Sequence, residues 1–468
     1  MKKLLVFILL AAMALTLCAC GKAKAAPNFI VPEGGYDGSE VTVKFYHTMG
    51  SNLSDVLDIY IEEFNKLYPN IHIAYEKIGG YDDVRNQIST ELSYRTEPNM
   101  AYCYPDHVAL YNLTGAVATL DDIIDSQIEI TRADGTKEIL GLTEEQKNDF
   151  IKGYYEEGMQ FGDGLMYTMP FSKSTEVLYY DKTFFEANGL TPPKTWDEME
   201  ALCRRIKEID PQSIPMGYDS EANWFITMCE QLESPYTSAN GEHYLFNNDV
   251  NKNFVKRYRE WYQNGWITTQ KLYGSYTSGL FTATNGIRCD MCIGSSAGAT
   301  HQRPSANDDG SYPFEVGITS IPQANADNQK IISQGPSICI FKKDNPQEVL
   351  ASWLFLKYLI TSVEFQAEFS MASGYVPVIK SVSENPTYAD FIAKADGGKY
   401  ISALSAKVCL EQADYYYTSP AFNGSSTARD QVGALISKCI SETDVADVDA
   451  FIDKAFSDAI DECEYQGG

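Results

Sequence analysis

Histidine and positive charge are both scarce in this chain: five His, and 37 Lys and Arg against 64 Asp and Glu, for a formal charge of -27 over 468 residues. That shortage excludes a nucleic-acid binder, or a protein held on anionic lipid by charge, because both need clustered Lys and Arg. The nearest cluster, Arg204-Arg205, falls on a predicted helix as a solvated face. The chain has no His-Glu-x-x-His, no Gly-x-Ser-x-Gly and no phosphate-cradling Gly loop, so nothing marks a hydrolase or a nucleotide enzyme. No catalytic residue, metal site or cofactor is assigned. There is no internal repeat or low-complexity run. Past residue 20 no apolar stretch is long enough to span a bilayer.

A disulfide framework is also missing. Nine of the 11 cysteines lie beyond residue 20, an odd and scattered set. The one close pair is Cys289-x-x-Cys292. It sits in a predicted strand over Ile287–Ile293, where residues three apart point to opposite faces. Buried free thiols are the expectation for all nine.

What is present begins at the N-terminus. Lys2 and Lys3 precede an apolar run from Leu4 to Leu17, too short for a membrane-spanning helix, and then Leu17-Cys18-Ala19-Cys20-Gly21. Residues 1–19 are predicted to be a signal peptide ending in a sequence that resembles a bacterial lipobox, with Cys20 as the lipidated residue. Cys18 as acceptor would put Leu17 where a small residue belongs. Removing Lys2 and Lys3 with the leader makes the charge more negative by two. Residues 20–37, small and Pro/Gly-bearing, read as a lipidated tether to the extracytoplasmic face of the cell membrane.

Roughly 430 residues follow, enough for two or three domains. Val41, Val43 and Phe45 alternate as a strand; Val56, Leu57, Tyr60, Ile61, Phe64 and Leu67 share a helical face; Ile71, Ile73 and Tyr75 alternate again. A second helix carries Val84, Ile88 and Leu92 ahead of the strand Met100–Tyr104. This β-α-β-α-β order predicts a parallel sheet with ligands at the carboxyl ends of its strands. Further on, Thr195-x-x-Glu198 is a capping box, Pro346 opens a long helix, and another helix ends at Gly374. Two α/β bodies joined by several chain crossings, with a cleft between them, fit this order.

Three segments, Met169-Pro-Phe-Ser-Lys-Ser-Thr-Glu-Val-Leu-Tyr-Tyr-Asp181, Thr191-Pro-Pro-Lys-Thr-Trp-Asp-Glu198 and Ala351–Leu359 with Met371-Ala-Ser-Gly-Tyr-Val-Pro-Val378, resemble the extracellular solute-binding proteins of ABC sugar importers (family 1). The glycerol-3-phosphate-binding branch is the nearest pattern. The resemblance implies an α/β, two-lobed periplasmic-binding-protein-like fold with a hinged interdomain cleft. Residues 38–171 and 297–361 are expected in lobe 1, and 172–296 and 362–468 in lobe 2. It implies a non-enzymatic, monomeric receptor that hands a small molecule, a glycerol phosphate or a sugar, to ABC permease subunits, with neither nucleic acid nor cofactor involved. It also implies the ligand-binding residues Tyr81, Asp106, Ser174, Trp224, Ser295, Gly335, Tyr375 and Arg429. Short hydroxyls and backbone donors plus one guanidinium are what a phosphate needs. Two departures stand out: Asp106 is shorter than the branch's acid and shifted, and Lys173 adds a charge expected to sit beside the phosphate. A neutral oligosaccharide, stacked on some of 31 Tyr and 5 Trp, is the alternative ligand. A secreted glycosidase would need two marked carboxyls, and none is marked. A chemoreceptor's docking partner would share the same fold.

Overall fold

A computed structural model describes residues 24–467. The signal peptide and Cys20 lie outside the described residues. Fourteen strands run in chain order as β1 Val41–His47, β2 Ile71–Lys77, β3 Met100–Cys103, β4 Glu129–Thr131, β5 Lys137–Ile139, β6 Thr168–Pro170, β7 Ser174–Asp181, β8 Met216–Tyr218, β9 Ile267–Thr269, β10 Met291–Ser295, β11 Val316–Thr319, β12 Ile331–Gln334, β13 Ser337–Ile340 and β14 Tyr416–Tyr417.

The first sheet has the order β2-β1-β3-β13-β6. The expected parallel β1–β2 and β1–β3 pairs are present, and β13 runs antiparallel between β3 and β6. The second sheet has the order β14-β12-β7-β10-β8-β9, with β11 also on β7. Each sheet is the centre of its own lobe, and β4 with β5 forms a separate hairpin.

Helix starts follow local chemistry. Thr195 accepts from the Glu198 N–H in the expected capping box, Asn345 caps the helix Pro346–Ile360, and Gly374 ends Val363–Ser373 in the left-handed region.

The expected lobe boundaries are corrected in two places. β11 and β12 pair with β7, so residues 316–334 belong to the second lobe, not the first. Helix Val363–Ser373 belongs to the first lobe, because Phe365 and Phe369 pack against Phe171, and Phe365 against Tyr60. Tyr388 is buried in that same core.

Residues 24–37 are not a free tether. Lys24 pairs with Asp121 (2.6 Å), and the Ala25 N–H donates to Asp163 O (3.0 Å). Asn28 exchanges hydrogen bonds with Thr119 and donates to Val117 O, Phe29 enters the first lobe's core, and the Val31 N–H donates to Asp122 (2.7 Å). This segment is a strap along lobe 1.

The lobes are joined by a hinge of bonded crossings. Phe171 and Ser172 N–H groups donate to Pro336 O, and Lys173 exchanges backbone bonds with Val376. Within the hinge Lys173 is fully buried. Its Nζ donates to Glu157 (2.5 Å), Gly335 O (3.1 Å) and Ser337 Oγ (2.9 Å). The charge expected beside a phosphate is therefore spent on the hinge, because a buried ammonium requires a buried partner.

All nine described cysteines are buried and free. β10 starts only at Met291, so the opposite-face expectation for Cys289 and Cys292 fails; both lie in one apolar cluster.

Candidate functional site

A cleft of about 1040 Å³ lies between the lobes. Six of the eight residues expected at the site line it: Tyr81, Asp106, Ser174, Ser295, Tyr375 and Arg429. Local sequence explains how they arrive. Tyr81 is the first residue of helix Tyr81–Leu92, after the turn Gly79-Gly80, in which Gly79 has φ +69°. Asp106 follows Pro105, which opens helix Pro105–Tyr111 at the carboxyl end of β3. Ser174 starts β7 and Ser295 ends β10, in neighbouring antiparallel strands. Tyr375 follows the Gly374 cap, and Arg429 lies in the second turn of helix Ser425–Ser441.

Two expected residues do not reach the cleft. Trp224 is completely buried, stacked on Tyr218 (5.0 Å between ring centroids) and packed on Tyr258 (4.1 Å). It lies on the same helix as Asn223, one position round, and that rotation of about 100° turns the indole into the core. Gly335 is a backbone necessity. Its φ is +87°, and a Cβ there would meet Ser172 O at 2.6 Å.

The sequence reading missed several cleft residues. Tyr104 packs on Tyr81, with ring centroids 4.7 Å apart, and burial holds both phenols protonated, well above their usual range. The Tyr102 phenol, in the lobe 1 core rather than the cleft lining, is held protonated by burial in the same way. Arg85, from lobe 1, pairs with Asp82 (3.4 Å) and reaches Ser426 Oγ of lobe 2 (3.3 Å), so the lobes touch across the mouth. Asn223 accepts a hydrogen bond from the Arg429 guanidinium and donates to Glu176 Oε1 (2.9 Å). The other Glu176 oxygen accepts from the Tyr218 hydroxyl (2.6 Å). Burial pushes the Glu176 carboxyl up to about 7, against the opposing pull of Tyr218, Asn223 and Arg429. Deeper in lobe 2, Asp219 accepts from the N–H and hydroxyl of Thr277 (2.6 and 2.7 Å), and burial raises its carboxyl too. Of these only Glu176 falls in a segment that carries the resemblance, and there it was not singled out; the signal of the others in the sequence is only that polar residues stand where a strand or helix meets the cleft.

The cleft therefore offers two guanidiniums, neutral phenols, short hydroxyls and several carboxyls. That set binds a polar small molecule through many directional hydrogen bonds. Among the described residues no group of three or more His, Cys, Asp and Glu is placed to hold a metal ion.

Comparison with known proteins agrees with the two-lobed form. A sequence profile described as bacterial extracellular solute-binding protein matches residues 60–395. The chain is similar to the sn-glycerol-3-phosphate-binding periplasmic protein UgpB of Escherichia coli (strain K12), with 24% identity over 420 residues and 82% of each chain covered. Among solved structures it resembles UgpB from Mycobacterium tuberculosis in complex with glycerophosphocholine (TM-score 0.70, 15% identity, 91% of this chain and 98% of that one). It also resembles the cyclic alpha-maltosyl-1,6-maltose binding protein of Arthrobacter globiformis (TM-score 0.69, 17% identity, 92% and 99%). With most of its length inside the family profile and a polar cleft between two α/β lobes, this chain belongs to the bacterial extracellular solute-binding proteins, the ligand-capturing components of ABC importers.

Proposed function

We propose that the protein is a lipid-anchored receptor that captures glycerol-3-phosphate or a glycerophosphodiester outside the cytoplasmic membrane and delivers it, as a monomer, to an ABC permease. The observation that carries this reading is the convergence of the Arg429 guanidinium with the hydroxyls of Ser174, Ser295, Tyr81 and Tyr375 on one cleft. A phosphoryl group takes one guanidinium and several hydroxyl donors, and no motif for turning over a bound molecule accompanies them. The glycerol-3-phosphate name of its sequence relatives and the glycerophosphocholine bound in a structural neighbour support the same ligand class.

A neutral oligosaccharide is the second reading. The cleft volume of about 1040 Å³ and the carboxyls of Asp82, Asp106, Glu176, Asp219 and Asp430 favour it, because carboxylates accept from sugar hydroxyls.

Calorimetry with glycerol-3-phosphate, glycerophosphocholine and a maltooligosaccharide separates the two. The phosphates bind, and Arg429→Ala weakens them about ten- to a hundredfold, the worth of a charge-assisted hydrogen bond of about 1.5–3 kcal/mol. Tight binding of the neutral sugar with no binding of either phosphate reverses the assignment.

A further inference from the structure

We propose that Glu176 is a positioning residue: through Asn223 it aims the Arg429 guanidinium into the cleft, and it takes up a proton when an anionic ligand arrives. The proposal rests on the reading of Arg429 as the ligand's cationic partner.

The geometry is a continuous chain across two elements of lobe 2. Tyr218 on β8 and Asn223 on helix Glu221–Gln231 each donate to one oxygen of Glu176, and Asn223 accepts from Arg429 with its other end. Tyr218, Glu176 and Asn223 are all almost completely buried, so water is kept from the two bonds to Glu176. The Asn223 amide has only one satisfying orientation. Its oxygen must face the guanidinium, and its NH₂ must face the carboxyl. Glu176 thus fixes the amide, and the amide fixes the one face of Arg429 it holds, leaving the remaining guanidinium donors for the ligand.

The charged and titratable groups facing Glu176 are Tyr218 from β8, Asp219 just beyond it, Tyr417 from β14 and Arg429 from helix Ser425–Ser441. Of these Arg429 alone is a cation, and its field adds to the hydrogen bonds from Tyr218 and Asn223 in favouring the ionised carboxylate. An anion seated on Arg429 cancels that field and repels the carboxylate directly, since Glu176 itself lines the cleft. Both effects drive a proton onto Glu176, which then meets the ligand as a neutral carboxylic acid. A neutral sugar does neither, and its hydroxyls, donating to Glu176, would hold it ionised. A cleft rich in acids can therefore accept an anion by neutralising the nearest of them, and the proton balance of binding carries the sign of the ligand's charge.

The test is calorimetry of the intact protein with glycerophosphoglycerol, a phosphodiester with no cationic group, at pH 7, in buffers of different ionisation enthalpy. A phosphodiester keeps one charge through the neutral range, so it contributes no protons of its own. With the carboxyl at about 7, wild type takes up as much as about half a proton per ligand, and affinity rises about five- to tenfold from pH 8 to pH 6. E176Q, which keeps the amide oriented, binds with no proton uptake and a flat pH profile; E176L, which orients nothing, also loses affinity. Equal proton uptake in wild type and E176Q with binding intact overturns the role of Glu176 while the ligand assignment stands. If wild type binds neither the diester nor glycerol-3-phosphate, the ligand assignment fails. The chain is then read in the ligand-free protein, by infrared titration of the carboxyl that E176Q removes. A midpoint near 7 that moves up in R429Q supports the coupling, and an ordinary carboxylate midpoint, or one indifferent to R429Q, overturns it.

Discussion

Glu176 also makes folding stability depend on pH, with a sign opposite to that of most surface carboxylates. Its carboxyl rises from an ordinary 4.5 to about 7 on burial. Between those values the folded chain holds a proton that the unfolded chain has lost. The contribution is fully present below 4.5, falls as pH rises, and is gone above about 7. The whole window is worth on the order of 3 kcal/mol. Urea unfolding of wild type and E176Q from pH 4 to pH 8 should show the variant gaining on wild type as pH rises; parallel curves would contradict it. Residues such as this were illegible in the sequence because their chemistry comes from burial, and burial is decided by strands far apart in the chain. The place of Ser174 and Tyr375 at the cleft was legible through the segments that carry the resemblance, and that of Arg429 through the resemblance alone. Trp224 was misread because a motif gives the neighbourhood of a residue but not its rotation on the helix.

At the scale of elements, the hinge concentrates the largest energetic risk. Lys173 and Glu157 form an ion pair with both side chains almost entirely out of water, and Ser337 Oγ donates to Glu157 (2.8 Å). Removing one partner strands the other, a loss of about 3–5 kcal/mol. Lys173→Met should therefore lower the urea midpoint sharply, whereas Lys173→Met with Glu157→Gln should recover part of the loss; equal losses in both would mean the pair is not the source. Helices and strands with strong periodicity or caps were legible here: the parallel β1–β2–β3 group, the Thr195 capping box, and the helix opened at Pro346. Their lobe membership was not. β11 and β12 carry no mark saying which sheet they join, and helix Val363–Ser373 follows directly on a lobe 1 helix whose core it shares.

Over the whole molecule, burial rather than bonding governs the thiols. Burial raises Cys203, Cys229 and Cys289 above the usual thiol range, and all nine described cysteines are out of solvent. Iodoacetamide at neutral pH should leave all nine unlabelled in the native protein and reach all nine in denaturant, as read by mass spectrometry; rapid native labelling of any of them would contradict this. The strap has a consequence of a different kind. Lys24 lies four positions beyond Cys20, a span of at most roughly 14 Å. Acyl chains at Cys20 would therefore moor lobe 1 almost against the bilayer, leaving lobe 2 as the part free to swing. So anchored, the receptor would find a permease by lateral diffusion in two dimensions, and the rate of delivery would then be set by surface density and membrane fluidity rather than by concentration in a volume.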